Sequence, residues 1–517
     1  MLIKPGSQWP PPGHAQMRAR WKGWRALWSG DLDWLKRDLP ALAPGGYWAR
    51  RAVKPGGREL HVPLAADIAR TSATLVAGDT PAMKWEDDKP AQAAWNNLAD
   101  EVGWATLLLE AFEVASATGG TYLRPAWDES VADHPLGQVV PADEALAEFR
   151  FGRLRQVTFV QELPAPDGWN QLERGEVWRH LEHHEPGEIR HELWLGNASS
   201  VGRPIPLADH PAVAGLPGVI DTRSIRPKRI LCEYFPNDLP NPLTTLPLGR
   251  SDLQGVETLL DALDEVYDSW MRDIQLAKAR ILASKEALDP VAQAAGGSGG
   301  GLFRRRGTAT PARTFDTDAD VFHWMDIPGE DTNGKPMPFT LVQFEIRFEA
   351  HERSALGLIE QIVSRPGFAP QTFGLHVDGQ LSGTAMRRRD IRSHQSKDRK
   401  RGYAKNPIER FAETLMLIGA AKFGTAKPAK RPVLEWKETS LADPLENAQV
   451  IELLTRAQAL SLEVRVAMAH PDWDSDQVDD EVDRLMKERD SLLAPVLSGE
   501  EPPPGTEPEP PSDDERE

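Results

Sequence analysis

Phe339–Val363 reads FTLVQFEIRFEAHERSALGLIEQIV, Gly367–Gly383 reads GFAPQTFGLHVDGQLSG, and Thr384–Gly419 reads TAMRRRDIRSHQSKDRKRGYAKNPIERFAETLMLIG. In the first stretch Leu356, Ile359, Ile362 and Val363 recur at helical spacing. Ser364, Arg365 and Pro366 end that helix, because proline forces the residue before it out of α geometry. The second stretch has glycine or proline at both ends and in the middle, and reads as a loop. The third reads as a long helix, on the order of 55 Å if it runs to about Ala421 at ~1.5 Å per residue. Pro407 lies inside it, so a kink near Tyr403–Asn406 is expected. Its first half is basic; its second carries an apolar stripe at Ile408, Phe411, Leu415 and Ile418.

Upstream, LGRSDLQGVETLLDALDEVYDSWMRDI (248–274) is a second helical signal. Ser251 with Gln254 fits a capping box, and Asp252 suits the positive end of a helix dipole. Val256, Leu259, Leu260, Leu263, Tyr267, Trp270 and Ile274 form the expected buried stripe. Glu257, Asp261, Asp264 and Asp268 form an acidic row, read as a solvated face, with a divalent-cation site as the competing reading.

Helix, glycine-bounded loop, long kinked helix, with an amphipathic helix upstream: this order resembles the portal proteins of tailed bacteriophages. SGTAMRRRDIRSHQSKDRKR is similar to the family's entry into a basic helix, PQTFGLHVDGQLSG to its tunnel loop, and 248–274 to its stem helix. The resemblance implies an α+β chain. Residues 1–249 would form a mixed wing, 250–280 a stem helix, 281–344 a small α/β clip, and 345–365 a second stem helix. Residues 366–383 would be the tunnel loop, 384–435 the kinked helix with its return to the wing, and 436–495 a helical crown. It also implies a ring, of twelve subunits in the family, at one capsid vertex. That ring passes double-stranded DNA without sequence specificity and docks the large terminase, a head–tail connector and the major capsid or scaffolding protein. Assembly in the host cytoplasm and a final place in the virion follow from the same resemblance. His376, Asp378 and Gln380 become channel-loop candidates, Arg387, Arg388, Arg389 and Arg392 basic-helix candidates, and Arg304, Arg305 and Arg306 clip-docking candidates.

The totals agree with a folded protein of several domains: 517 residues, 40% hydrophobic and 27% charged. A net charge of −18 argues against wrapping nucleic acid tightly and is compatible with letting it slide past. The single cysteine, Cys232, excludes an internal disulfide. No apolar run reaches membrane-spanning length, and the first residues have no signal core. No catalytic motif and no cofactor motif is present; AAGGSGGG (294–301) is linker-like and lacks the Lys-Ser or Lys-Thr of a phosphate loop.

Trp21, Trp24 and Trp28 fall on one helical face, either packing on their own domain or docking on a neighbouring subunit. Residues 91–118 read as one helix, with Trp95, Leu98, Val102 and Leu109 facing a core. Residues 150–235 alternate as strands. His180, His183, His184 and His191 crowd one hairpin, yet adjacent strand residues face opposite ways, which disfavours a shared metal. Residues 447–470 and 474–490 read as two helices, with Val482, Leu485 and Met486 on the packed face, and the acidic residues from about Pro495 onward as a disordered tail. Two other functions fit parts of the sequence: a metal-dependent nuclease using the acidic row, and a helical adaptor that forms no ring.

Overall fold

The computed structural model describes residues 3–54, 59–166, 175–277, 280–283, 321–322, 339–342, 346–375, 383–436, 444–470, 473 and 475–498. The chain divides into two compact units, residues 1–377 with 390–437, and residues 378–389 with 438–517.

The first unit opens with three helices, α1 (Pro12–Ser29), α2 (Leu32–Asp38) and α3 (Tyr47–Val53). The tryptophan face of α1 lies inside its own unit: Trp21 and Trp24 are buried among α4, the sheets and later helices. Helix α4 (Leu64–Ala77) buries Leu64 and Ile68, with Leu75 half-buried, at the spacing the sequence sets. Strand β1 (Ala82–Lys84) follows the Gly78–Pro81 turn. The expected single helix over 91–118 is two, α5 (Lys89–Val102) and α6 (Trp104–Thr118). Gly103 separates them at φ +64°, its N–H bonded to the Ala99 and Asp100 carbonyls. A left-handed glycine ends one helix cheaply, and both helices are amphipathic, so periodicity alone does not reveal the break. Trp95, as expected, is core; it sits between Trp85 (5.2 Å) and Trp104 (4.9 Å), and Trp104 stacks on Phe411 at 6.4 Å.

Strands β2 (Gly120–Ala126) and β3 (Leu136–Pro141) form a hairpin, and β4 (Ala145–Arg150) and β5 (Arg153–Leu163) another. Next come β6 (Val177–Glu185), β7 (Glu188–Gly196), β8 (Arg203–Ile205), β9 (Val219–Asp221) and β10 (Glu233–Pro236). Strands β4 to β8 pair in chain order in one antiparallel sheet, with β9 also on β7, while β10, β2 and β3 make a second sheet. The Glu185–Glu188 turn between β6 and β7 carries Gly187 at φ +90°.

Helix α7 (Glu257–Leu276) pairs with α8 (Phe348–Ser364). Between them, the described pieces β11 (Arg280–Ala283), β12 (Val321–Phe322) and β13 (Phe339–Val342) make a three-stranded sheet in the order β12-β11-β13. Helix α9 (Gly383–Lys422) runs 40 residues with Pro407 inside it. Its apolar stripe of Ile408, Phe411, Leu415 and Ile418 is fully buried, each side chain contributing about 1.5–3 kcal/mol of transfer free energy. Strand β14 (Val433–Glu435) returns to pair with β1.

The second unit holds α10 (Pro444–Arg456), α11 (Leu462–Ala469) and α12 (Ser475–Ser498). The single helix expected over 447–470 is therefore broken. Gln458 takes φ +53°, and Ser461 restarts the chain as an N-cap, its hydroxyl accepting from the Val464 N–H at 3.3 Å. Met486, expected on the packed face, is exposed, whereas Val482 and Leu485 are half-buried. Helix α12 continues to Ser498, past the point where the acidic composition begins.

Candidate stem and channel-loop framework

The acidic row of α7 is not a solvated face. Glu257, Asp261 and Asp264 are each under 10% exposed, and each is met by donors from the N-terminal helices. Trp24 Nε1–H donates to Glu257 at 2.9 Å. The Tyr47 and Trp48 backbone N–H groups, the first two of α3, donate to the Asp261 carboxylate at 2.6 and 3.0 Å. Asp261 thus satisfies orphan donors at a helix start from a distant segment, and its negative charge suits that end of the dipole. A Cβ at Gly46 would lie 2.2 Å from Asp261 Oδ2, so only glycine lets the backbone come this close. Asp264 accepts from Trp48 Nε1 (2.8 Å) and from the Val62 N–H (2.8 Å), with His61 Nδ1 at 2.8 Å. Arg51 closes the row on Asp268 at 2.7 Å.

Burial raises the Asp261 carboxyl above its ordinary range, while the two backbone donors pull it back. Two signals for this arrangement were present in the sequence. The acidic row lies one residue further along the helix than the apolar stripe and so borders it. A tryptophan-rich segment also supplies indole donors that need acceptors when buried.

The capping box expected at the start of α7 does not form, because residues 251–256 are turns and the helix begins at Glu257. Ser251 Oγ instead donates to the carbonyls of Ser116 (3.0 Å) and Ala117 (2.7 Å). Asp252 is the centre of a buried polar junction. It accepts from Ser116 Oγ at 2.6 Å and Asn237 Nδ2 at 2.9 Å, and it pairs with the Lys400 ammonium. Lys400 also donates to Ser72 Oγ at 2.6 Å and lies 5.2 Å from the Phe368 ring centroid. Five segments meet here: α4, α6, the end of β10, the entry to α7, and α9. Burial pulls the Lys400 ammonium down, and the Asp252 charge works against that. Reading the basic half of α9 as solvated on all sides therefore fails at Lys400 and at Arg401. Arg401 is buried, donates to the Val76 carbonyl at 3.0 Å and lies over the Trp436 ring at 4.6 Å.

The base of the Gly367–Gly383 loop is fixed onto α9 beside that junction. Gly367 has φ +96°, and a Cβ there would come within 2.5 Å of Ser396 Oγ, which donates to the Gly367 carbonyl at 2.9 Å. The Ala369 N–H donates to Ser393 Oγ at 2.8 Å, and Thr372 Oγ1 lies 2.7 Å from the same hydroxyl. Phe368 is fully buried, and a short 3-10 turn over Pro370–Phe373 leads to Gly374 at φ +75°. The channel-loop candidates His376, Asp378 and Gln380 lie outside the described residues, as do the clip candidates Arg304, Arg305 and Arg306. Arg387, Arg388 and Arg389 are on the first turns of α9, and Arg392 is exposed on the same helix.

Further along, α7 and α8 are held by Asp273, which accepts from Arg347 (3.0 Å) and lies 2.9 Å from His351 Nε2, and by Trp270 stacked on His351. Ile274, Ile346, Phe348 and Leu356 are all exposed around this end of the pair, two of them against expectation, since Ile274 and Leu356 belong to the apolar stripes.

In the large sheet, His183 and His184 do face opposite sides. His183 Nδ1 lies 2.8 Å from Thr158 Oγ1, while His184 contacts Glu182 (2.6 Å) and Cys232 Sγ (3.2 Å). His180 stacks on His191 with ring nitrogens 3.1 Å apart. Among the described residues no group of histidine, cysteine, aspartate and glutamate has metal-site geometry, and no helix is long and apolar enough to cross a membrane.

No family model matches the chain, and no curated protein does. Solved structures are similar to it at low identity. One comes from the virion of a native gene transfer agent particle, with 14% identity, a TM-score of 0.38, and 81% of this chain and 97% of that chain covered. A second, from the neck of that native particle computed with C12 symmetry, matches with the same values. A third, from the neck of the empty particle computed with C6 symmetry, has 13% identity, a TM-score of 0.37, and 82% and 98% covered.

Proposed function

We propose that this chain is a portal subunit, one copy of a ring that sits at a single capsid vertex and through which double-stranded DNA is packaged and later ejected. The observation that carries the reading is the clamped loop: a helix pair leads into a glycine-started loop whose base is pinned by Ser393 and Ser396 to a 40-residue helix. That arrangement holds a loop's ends rigidly and leaves its middle to act, the design a channel constriction needs. The family order read in the sequence supports the same assignment.

The mechanism is geometric. The ring, twelve copies in this reading, would supply a passage and docking surfaces for a large terminase, a head–tail connector and the capsid or scaffolding protein; the terminase would supply the work. The loop residues His376, Asp378 and Gln380 carry little formal charge, which suits brushing a phosphate backbone without gripping it. Arg387, Arg388, Arg389 and Arg392 would lie at the entry to the long helix, and Arg304, Arg305 and Arg306 would present positive charge at the clip. The nuclease reading is disfavoured by a specific finding, since the carboxylates it would use are occupied by Trp24, Tyr47, Trp48 and His61.

Removing residues 376–382 tests the reading in packaging. Rings are expected to form while genome packaging fails; normal packaging with the shortened loop contradicts it.

A further inference from the structure

The hairpin joining β4 and β5 carries two local costs that nothing within its own sheet offsets. Its two loop residues, Phe151 and Gly152, both have positive φ (+51° and +73°). Glycine takes such angles freely, whereas a phenylalanine there is strained and is a position where asparagine or aspartate would ordinarily stand. Flanking them, Arg150 and Arg153 are paired directly across the strands, a like-charge pairing that disfavours the hairpin. Phe151 is nonetheless 92% exposed, with the Arg150 guanidinium over its ring at 5.4 Å. Strain held at an exposed aromatic points to use at that position.

This tip forms one wall of a groove of about 760 Å³. Phe149, Tyr403 and Tyr234 give the groove an aromatic lining, and Lys228 and Arg229 add to Arg150 and Arg153 on its rim. Among the described residues, none of these four cations has a carboxylate within salt-bridge distance, in a chain whose net charge is −18. Duplex DNA is a poor match, because a wide cylinder of phosphates gains nothing from a narrow aromatic floor. An extended acidic peptide with prolines is a good one: proline-rich segments lie in aromatic-lined grooves, and carboxylates pair with a guanidinium rim.

We propose that this groove takes the chain's own C-terminal segment, residues 499–517, GEEPPPGTEPEPPSDDERE. That segment contains six prolines and eight carboxylates against one arginine, so it supplies both features the groove calls for. The prolines lie on Phe149, Phe151 and Tyr403, and the carboxylates meet Arg150, Arg153, Lys228 and Arg229. Docking relieves the uncompensated charge at the hairpin and gives the strained Phe151 a contact.

Zero-length carbodiimide coupling of the full chain, read by mass spectrometry, tests this, because Lys228 is the one rim amine. Lys228 is expected to couple to Glu500, Glu501, Glu507 or Glu509 at low salt. The yield should fall about tenfold when R150E and R153E reverse the rim charge or when salt is raised to about 1 M. A second variant, with the carboxylates of 499–517 changed to amides, leaves the groove untouched and should abolish the same products. Coupling of the segment to other lysines with Lys228 left free overturns the proposal. Protection of Lys228 by stoichiometric duplex DNA, with no segment products, assigns the groove to nucleic acid and overturns it equally. Run on fractions of known mass, the experiment separates this proposal from the ring. A monomer that couples removes the ring alone, and a ring that does not couple removes only the docking.

Discussion

The two halves of α7 follow one amphipathic pattern and meet different fates. In the first half, Glu257, Asp261 and Asp264 are buried and fully employed, holding α1, α3 and the Val62 backbone, while Leu260 and Leu263 sit in the core. In the second half the apolar positions run on, but Ile274 is exposed, and so are Ile346, Phe348 and Leu356 around the paired α8. A stripe that is satisfied at one end and open at the other is what a subunit shows when its neighbours complete it. The first half is therefore a matter of folding, and the second, in the portal reading, a matter of assembly.

That contrast breaks most visibly if carboxylates are removed one at a time. Asp264→Ala strands the Trp48 indole, the Val62 N–H and His61, and should cost about 3–5 kcal/mol in urea unfolding. Asp273→Ala, near the open end, should cost under about 1 kcal/mol, as expected for a pair near solvent. Comparable losses at both sites would erase the distinction. Lys400→Met belongs with the first group, because it leaves Asp252 buried and uncompensated. It should also cost about 3–5 kcal/mol, and the double change Lys400→Met with Asp252→Leu should recover part of the loss.

Acid should loosen the sheet before it reaches the carboxylates. Burial, then the neighbouring His191, holds His180 down at about 4, below its ordinary 6.5. A depressed histidine favours the fold while neutral, so its contribution is complete above 6.5 and disappears as pH falls from 6.5 to 4. Glu182 is held at about 2, where burial acting upward is outweighed by the hydrogen bond from His184 and the charge of Arg124, so its contribution is lost only below about 4.5. The melting temperature should therefore decline between pH 6.5 and 4, and His180→Gln should flatten that decline. An unchanged slope in the variant would assign the acid sensitivity elsewhere.

Smaller still is the effect of the open end on a single chain. Ile274→Ser combined with Phe348→Ser should change monomer stability by no more than about 0.5 kcal/mol, because the side chains are already exposed. The same pair should abolish higher assembly. Rings that survive it would show that these residues face solvent in the assembled state.

Much of the framework was legible in the sequence, for physical reasons that differ by element. The apolar stripe of α9 and the strands of the large sheet follow side-chain period, and period is local. The break at Gly103 and the restart at Ser461 escaped, because each depends on one residue adopting a backbone conformation that periodicity does not encode. The partners of Asp261 and Asp264 lie more than 200 residues away in sequence. Spacing alone could not say whether that row faced water, metal or indole donors. The Asp252–Lys400 pair was hidden in the same way, one member resembling a cap residue and the other one basic side chain among many. The loop base was visible as Gly367, while its anchors Ser393 and Ser396 looked like ordinary polar positions on a basic helix.

The central claim is that copies of this chain close into a ring. The direct measurement is the mass of the purified protein by light scattering, with its shape by negative-stain microscopy, across salt and magnesium concentrations. The portal reading predicts a hollow ring of about a dozen copies. A stable monomer under every condition would contradict it and favour a helical adaptor.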